Sequence, residues 1–277
     1  MKILFISLGC DKNLADSEEM LGLLTGNGHE IVDSEEEADA IVINTCCFIH
    51  DAKEESVNTI LEMAEYKKTG TCKILIVTGC MAQRYKEEIT KEIPEVDAVL
   101  GTTSYGDIVK ALNEAEAGHV FQEFKDINAL PEDSGRRVIT TGGHFGYLKI
   151  AEGCDKHCTY CIIPSLRGKF RSVPEERLLK QAEYMASQGV RELILVAQET
   201  TVYGTDLYGK KTMHILLKKL CQIKGIRWIR VLYCYPEEIY DELIQVMKEE
   251  KKICHYLDLP IQHASDRILK RMGRRTS

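Results

Sequence analysis

Short runs of apolar, mostly β-branched residues alternate along this chain with longer stretches whose apolar positions recur every three or four residues. Residues 2–7, 29–32, 40–44, 73–78 and 98–100 read as strands. Residues 16–26, with a capping Asp, and segments 52–67, 83–93 and 105–115 read as helices. Buried strands separated by helices predict a doubly wound parallel sheet, an α/β domain spanning residues 1–117.

Residues 118–145 break this pattern. Segment 126–135 is polar and turn-rich, and Thr141-Gly142-Gly143 is another flexible stretch, so the segment reads as a linker. Alternation resumes at residue 146, with strands expected at 147–150, 192–197, 228–232 and 256–259. Helices are expected at 175–187, behind Pro174, and at 213–222, 236–248 and 266–272. Repeated βα units predict a barrel or half-barrel over 146–277, with its site at the carboxyl ends of the strands. Only four strands are counted there, and the last helix runs into Gly273-Arg274-Arg275-Thr276-Ser277, so a truncated domain is expected.

The chemistry lies in the cysteines. Cys154, Cys158 and Cys161 fall within eight residues, and such a loop can wrap three corners of an iron–sulfur cluster. Clusters are normally held by four Cys, so three would leave one iron open to a substrate or cofactor. Zinc is the alternative, but it favours two paired hooks and no second hook of this form exists. A disulfide reading suffers from the odd count.

Three more cysteines each follow a predicted strand: Leu8-Gly9-Cys10, Asn44-Thr45-Cys46 and Thr78-Gly79-Cys80. In a parallel sheet those carboxyl ends share one edge, where ligands bind. Convergence on a second cluster is therefore expected, against the plainer reading of three unrelated buried thiols. Gly9 and Gly79 suit tight strand-to-loop turns. Cys47, beside Cys46, leaves the choice of ligand between them open. Cys72, Cys221, Cys234 and Cys254 have no partner spacing and read as structural. Gln198-Glu199-Thr200-Thr201 follows the strand at 192–197; Gln198 and Glu199 are candidate cofactor contacts, or else part of a helix-capping turn.

Composition narrows the setting. Eleven Cys in 277 residues are too few for a disulfide scaffold and too many for idle thiols. The opening Met1 to Cys10 superficially suggests a lipoprotein signal, but its apolar run of about six residues is shorter than a signal core. No stretch is apolar enough to span a bilayer, so a reducing, cytoplasmic location without membrane attachment is expected. The net charge of −7 disfavours DNA or bulk nucleic-acid binding and suits a basic protein partner.

The cysteine loop resembles the radical S-adenosylmethionine (SAM) signature CxxxCxΦC, with Tyr160 at the aromatic position. Tyr160, an ordinary half-buried aromatic on the plainer reading, joins Gln198 and Glu199 as an expected cofactor-side residue without a chemical role. The whole chain is similar to the methylthiotransferase family. The matching stretches are Ser7-Leu8-Gly9-Cys10-Asp11-Lys12-Asn13, Asp16-Ser17-Glu18, Asn44-Thr45-Cys46, Thr78-Gly79-Cys80, Glu152-Gly153-Cys154 and Ile163-Pro164-Ser165-Leu166-Arg167-Gly168. The resemblance implies two 4Fe-4S clusters, one on Cys10, Cys46 and Cys80 and one, catalytic, on Cys154, Cys158 and Cys161. It selects Cys46 over Cys47. It also implies reductive cleavage of SAM to a radical, sulfur supplied at the first cluster, methylation by a second SAM, and an electron donor such as flavodoxin or ferredoxin.

Within the family, Asp11-Lys12-Asn13 and Asp258-Leu259-Pro260-Ile261-Gln262-His263-Ala264-Ser265 look like the branch that modifies the β-carbon of an aspartate on ribosomal protein twelve of the small subunit. The tRNA (adenosine) methylthiotransferases are the first alternative, and a non-catalytic iron–sulfur protein the second. Full-length members carry a further half-barrel and a small TRAM β-barrel, both expected to be absent here.

Overall fold

The computed structural model describes residues 1–275, so the end of the run read at 273–277, Thr276 and Ser277, lies outside the described residues. Contacts divide the chain into two units, Met1–Val138 and Ile139–Ser277.

The first unit is built on a six-stranded parallel sheet. In chain order its elements are β1 (Lys2–Ser7), α1 (Asp11–Gly26), β2 (Glu30–Val32), β3 (Ala40–Thr45), α2 (His50–Thr69), β4 (Ile74–Gly79), α3 (Cys80–Glu92), β5 (Ala98–Leu100), α4 (Ile108–Glu116) and β6 (Phe121–Glu123). The strand order is β2-β1-β3-β4-β5-β6, so the winding reverses between β1 and β3. An open parallel sheet leaves a crevice at such a switch point, outside the carboxyl ends of the strands. β3 and β4 are buried at every position, which is why they read as uninterrupted apolar runs. Ile3, Val42, Ile76 and Leu100 pack with Met20 and Leu24 of α1 and with Ile108 and Leu112 of α4.

Two departures from the sequence reading have physical causes. α1 begins at Asp11 rather than at residue 16, with Cys10 as its N-cap. Its first turns bury Lys12, Asn13, Asp16, Ser17 and Glu18, so the buried face is polar there and no apolar period marks it. β6 adds to the sheet beside β5, inside the segment read as a linker; three half-buried residues at an edge carry too little pattern to be noticed. Beyond β6, the Arg137 Nε donates to Glu18 Oε2 at 2.8 Å and the Val138 amide donates to the Glu18 carbonyl at 3.0 Å, so the end of the unit is tied to α1.

The second unit runs through β7 (Phe145–Lys149), β8 (Ala151–Glu152), α5 (Ile163–Arg167), β9 (Arg171–Ser172), α6 (Glu175–Ser187), β10 (Glu192–Val196), α7 (Thr205–Tyr208), α8 (Met213–Cys221), β11 (Trp228–Val231), α9 (Asp241–Glu249), β12 (Ile253–Leu257) and α10 (Asp266–Arg271). β7, β10, β11 and β12 lie side by side in chain order, all parallel, which is the progression of a βα barrel wall. β8 and β9 form a separate antiparallel pair that brackets the cysteine loop. β12 starts at Ile253, ahead of the expected 256–259, and its register with β11 shifts between Ile229 and Val231. The helix expected at 236–248 divides into a single 3-10 turn at 236–238 and α9.

Candidate functional site

In the first unit, Cys10, Cys46 and Cys80 follow β1, β3 and β4 at the switch-point edge of the sheet. β3 and β4 pair their last residues, Thr45 with Gly79, so the residues immediately past the two strands are Cys46 and Cys80. Cys10 caps α1 and Cys80 opens α3. Two of the three sulfurs therefore stand at helix N-termini.

The backbone here admits no side chain at two positions. Gly9 has φ +90, and a Cβ there would stand 2.7 Å from the Cys46 Cβ and 3.0 Å from its Sγ. Gly79 has φ +93, and its Cβ would meet Asn44 Oδ1 at 2.3 Å. Asn13 laces the turns together: its Nδ2 donates to the Leu8 and Thr45 carbonyls at 3.2 and 2.9 Å, and its carbonyl accepts from Asn44 Nδ2 at 2.9 Å. Ser56 accepts from the Cys46 amide at 3.0 Å and donates to the Cys46 carbonyl at 2.8 Å. The Cys47 thiol instead donates to the Cys80 carbonyl at 3.3 Å, and burial pushes its pKa up. The Cys47 hydrogen is thus engaged by backbone, while the backbone of Cys46 is fixed by Ser56.

In the second unit, Cys154 and Cys158 are buried and line a cavity of about 390 Å³. Cys161 is partly exposed. Gly153, at φ +73, lets the loop leave β8 against the Lys169 carbonyl, from which a Cβ would be 2.1 Å. The Cys154 amide donates to the Gly168 carbonyl at 3.1 Å, closing the loop between the two motifs that flank it. Beneath it, Glu152 is fully buried. Desolvation works against its charge, but Lys149 and Arg167 outweigh this and hold its carboxyl down at about 2. Burial pushes the Cys154 thiol up to about 11, so a metal must displace that proton to bind.

Of the three expected cofactor contacts, Glu199 lines the cavity among the described residues. Its Oε1 accepts from the Thr201 amide at 3.0 Å, while Oε2 is buried with no hydrogen-bond partner. Burial raises its pKa to about 7. Gln198 Oε1 is likewise buried and unpartnered, and Tyr160 is half exposed. The sequence reading missed Lys156 and Lys211, which both pair with Glu238 in the cavity wall, and Tyr235 and Arg274, which also line it. They come from separate loops, and only their shared position at one end of the strands could have signalled them. Both sulfur sets fit clusters by donor chemistry: three thiols each, two of them at helix N-termini in one set, two lining a cavity with orphaned polar atoms in the other. Among the described residues, no three His, Cys, Asp or Glu side chains are placed to ligate one single ion. A cubane instead spreads its thiolates over different irons.

Residues 2–101 match Uncharacterized protein family UPF0004, and residues 148–277 match the Radical SAM superfamily. Over 277 residues the chain is 68% identical to the ribosomal protein uS12 methylthiotransferase RimO of Lachnoclostridium phytofermentans, covering 100% of this chain and 63% of that protein. It is 52% identical over 277 residues to the RimO of Clostridioides difficile, covering 100% of this chain and 62% of that protein. Over its whole length the chain is similar to these methylthiotransferases, and its second part matches the Radical SAM superfamily. It spans 63% and 62% of the length of these two relatives. Solved structures share the fold. The radical SAM methyltransferase TsrM from Kitasatospora setae aligns with TM-score 0.65 at 11% identity, over 100% of this chain and 63% of that one. The cobalamin-dependent SAM radical enzyme OxsB aligns with TM-score 0.61 at 14% identity, over 100% of this chain and 46% of that one. Among the described residues no helix is long and apolar enough to cross a membrane.

Proposed function

We propose that this chain carries the catalytic units of a cytoplasmic methylthiotransferase that acts on the β-carbon of an aspartate in ribosomal protein uS12. The observation that carries the reading is the pairing, in one chain, of two separate three-thiol sets: one at the switch point of a parallel sheet, the other in a cavity at the strand ends of a barrel wall. Cys154, Cys158 and Cys161 would hold one 4Fe-4S cluster, and Cys10, Cys46 and Cys80 a second. Met1–Val138 would form the sulfur-supplying domain and Ile139–Ser277 the SAM domain. When bound, the clusters supply an open iron for SAM, an electron to cleave it, and a site for the transferred sulfur.

The chain's own residues do the holding. Glu199 Oε2 offers an unpartnered acceptor to a cationic group in the cavity, with Gln198 and Tyr160 as further proposed cofactor contacts. The Lys156–Glu238–Lys211 group fixes the cavity wall. The electron comes from a small donor of the flavodoxin or ferredoxin class, and neither membrane nor DNA takes part. The name carried by the relatives supports the choice of uS12. Mass spectrometry of uS12 and of bulk tRNA, from cells with and without the gene, tests it. Loss of one methylthio group from uS12 supports the reading; loss of methylthio-adenosine from tRNA, with uS12 unchanged, overturns it in favour of the tRNA branch.

A further inference from the structure

The three cysteines of the SAM-domain loop are not equivalent. The Cys154 sulfur accepts from the backbone amide of Lys156 at 3.4 Å. Cys161 interacts with the backbone of Ile163. Cys158 is addressed by a side chain: the Arg274 guanidinium, whose Nη1 lies 4.0 Å from its Sγ. Arg274 is buried, stacks 4.1 Å above the Tyr235 ring, and donates from Nη2 to the Pro260 carbonyl at 2.8 Å.

The segment that carries Arg274 is fixed to the loop. The Thr159 amide donates to the Met272 carbonyl at 3.0 Å. A Cβ on Gly273 would stand 2.6 Å from the His157 carbonyl, so the strand of chain before Arg274 lies flat on the cysteine loop. Arg274 therefore cannot swing to solvent without breaking these contacts, and a guanidinium stays charged at any working pH.

We propose that Arg274 and Tyr235 are positioning residues that set the reduction potential of the cluster on Cys154, Cys158 and Cys161, acting through the Cys158 sulfur. The inference rests on the cluster reading above. Reduction adds one electron and hence one negative charge to the cluster. A buried cation beside one of its thiolates favours the reduced, more negative state, and so raises the potential. Tyr235 acts through Arg274, holding the guanidinium plane by stacking.

The test uses the whole chain with Cys10, Cys46 and Cys80 changed to Ala, so that a single cluster is observed. Iron content and a redox titration followed by electron paramagnetic resonance are measured for this parent and for Arg274→Leu, Arg274→Lys and Tyr235→Leu. Arg274→Leu should lower the reduction equilibrium constant about tenfold, near 59 mV for one electron. Tyr235→Leu and Arg274→Lys should fall between it and the parent, since the first removes only the stacking platform and the second keeps the charge. An Arg274→Leu protein with full iron and the parent's potential overturns the inference. Should that variant lose its iron, unchanged potentials in both Arg274→Lys and Tyr235→Leu overturn it instead. A parent that takes up no iron overturns the cluster reading and this inference with it, whereas a loaded parent whose potential none of the variants moves overturns this inference alone.

Discussion

The Cys47 thiol donates to the carbonyl oxygen of Cys80 at 3.3 Å. Its hydrogen is thus spent on backbone, while the neighbouring Cys46 lies against Gly9 with its amide and carbonyl both tied to Ser56. Anaerobic reconstitution should give about 8 iron per chain. Cys46→Ala should fall to about half of that, and Cys47→Ala should keep it all. Equal iron loss in the two variants would contradict the ligand assignment.

Gly9→Ala forces a left-handed backbone and drives a Cβ to 2.7 Å from the Cys46 Cβ. The conformation alone costs about 1–2 kcal/mol. Urea unfolding of the apo chain should show at least that loss, and iron retention at the first site should drop as well. Full stability with full iron would show that the turn relaxes.

Glu152 is a buried anion between Lys149 and Arg167. Its folded pKa is depressed from 4.5 to about 2, so its stabilisation is present above pH 4.5 and is lost as pH falls toward 2. The loss amounts to about 3 kcal/mol over that window. Glu152→Gln should destabilise the chain at neutral pH by about 3–5 kcal/mol, because two buried cations lose their counter-charge. The difference from the parent should shrink as both are titrated to acid, and a pH-independent difference would refute the assignment.

Glu199 behaves in the opposite sense. Burial raises its pKa to about 7, so the stability it permits is full at low pH and declines as pH rises through 7. Glu199→Gln should therefore gain stability relative to the parent between pH 5 and 8. It should also weaken SAM binding about tenfold or more, as expected for a charge-assisted hydrogen bond lost in a buried site. Isothermal titration of the reconstituted chain measures this, and unaltered affinity would remove Glu199 from the SAM contacts.

Much of the first sheet was legible because β3 and β4 are apolar on both faces and leave no competing pattern. Placement of Cys10, Cys46 and Cys80 on one edge followed from parallel topology alone, which needs only the strand ends. The start of α1 was not legible, since Asn13, Ser17 and Glu18 are buried for their hydrogen bonds and charge pairs rather than for hydrophobicity. Arg274 was invisible as a neighbour of Cys158 because 116 residues separate them in sequence. Such contacts depend on how loops fold over a strand end, and no local period records that. Glu199 was found since it follows a strand, but its orphaned oxygen and raised pKa belong to burial and needed the structure.

The tie between Glu18 and Arg137 also has a meaning in time. These residues lie 119 positions apart. At a synthesis rate of about 5–20 residues per second, the partner of Glu18 is made roughly 6–24 s after it. At the close of that interval α1 has its sheet neighbours but not yet the strap that closes over its polar face. The first unit is therefore a domain that is finished from its far end, and a nascent chain paused before residue 137 would present that acidic face to whatever cation stands nearest, including the basic surface of the ribosome that is making it.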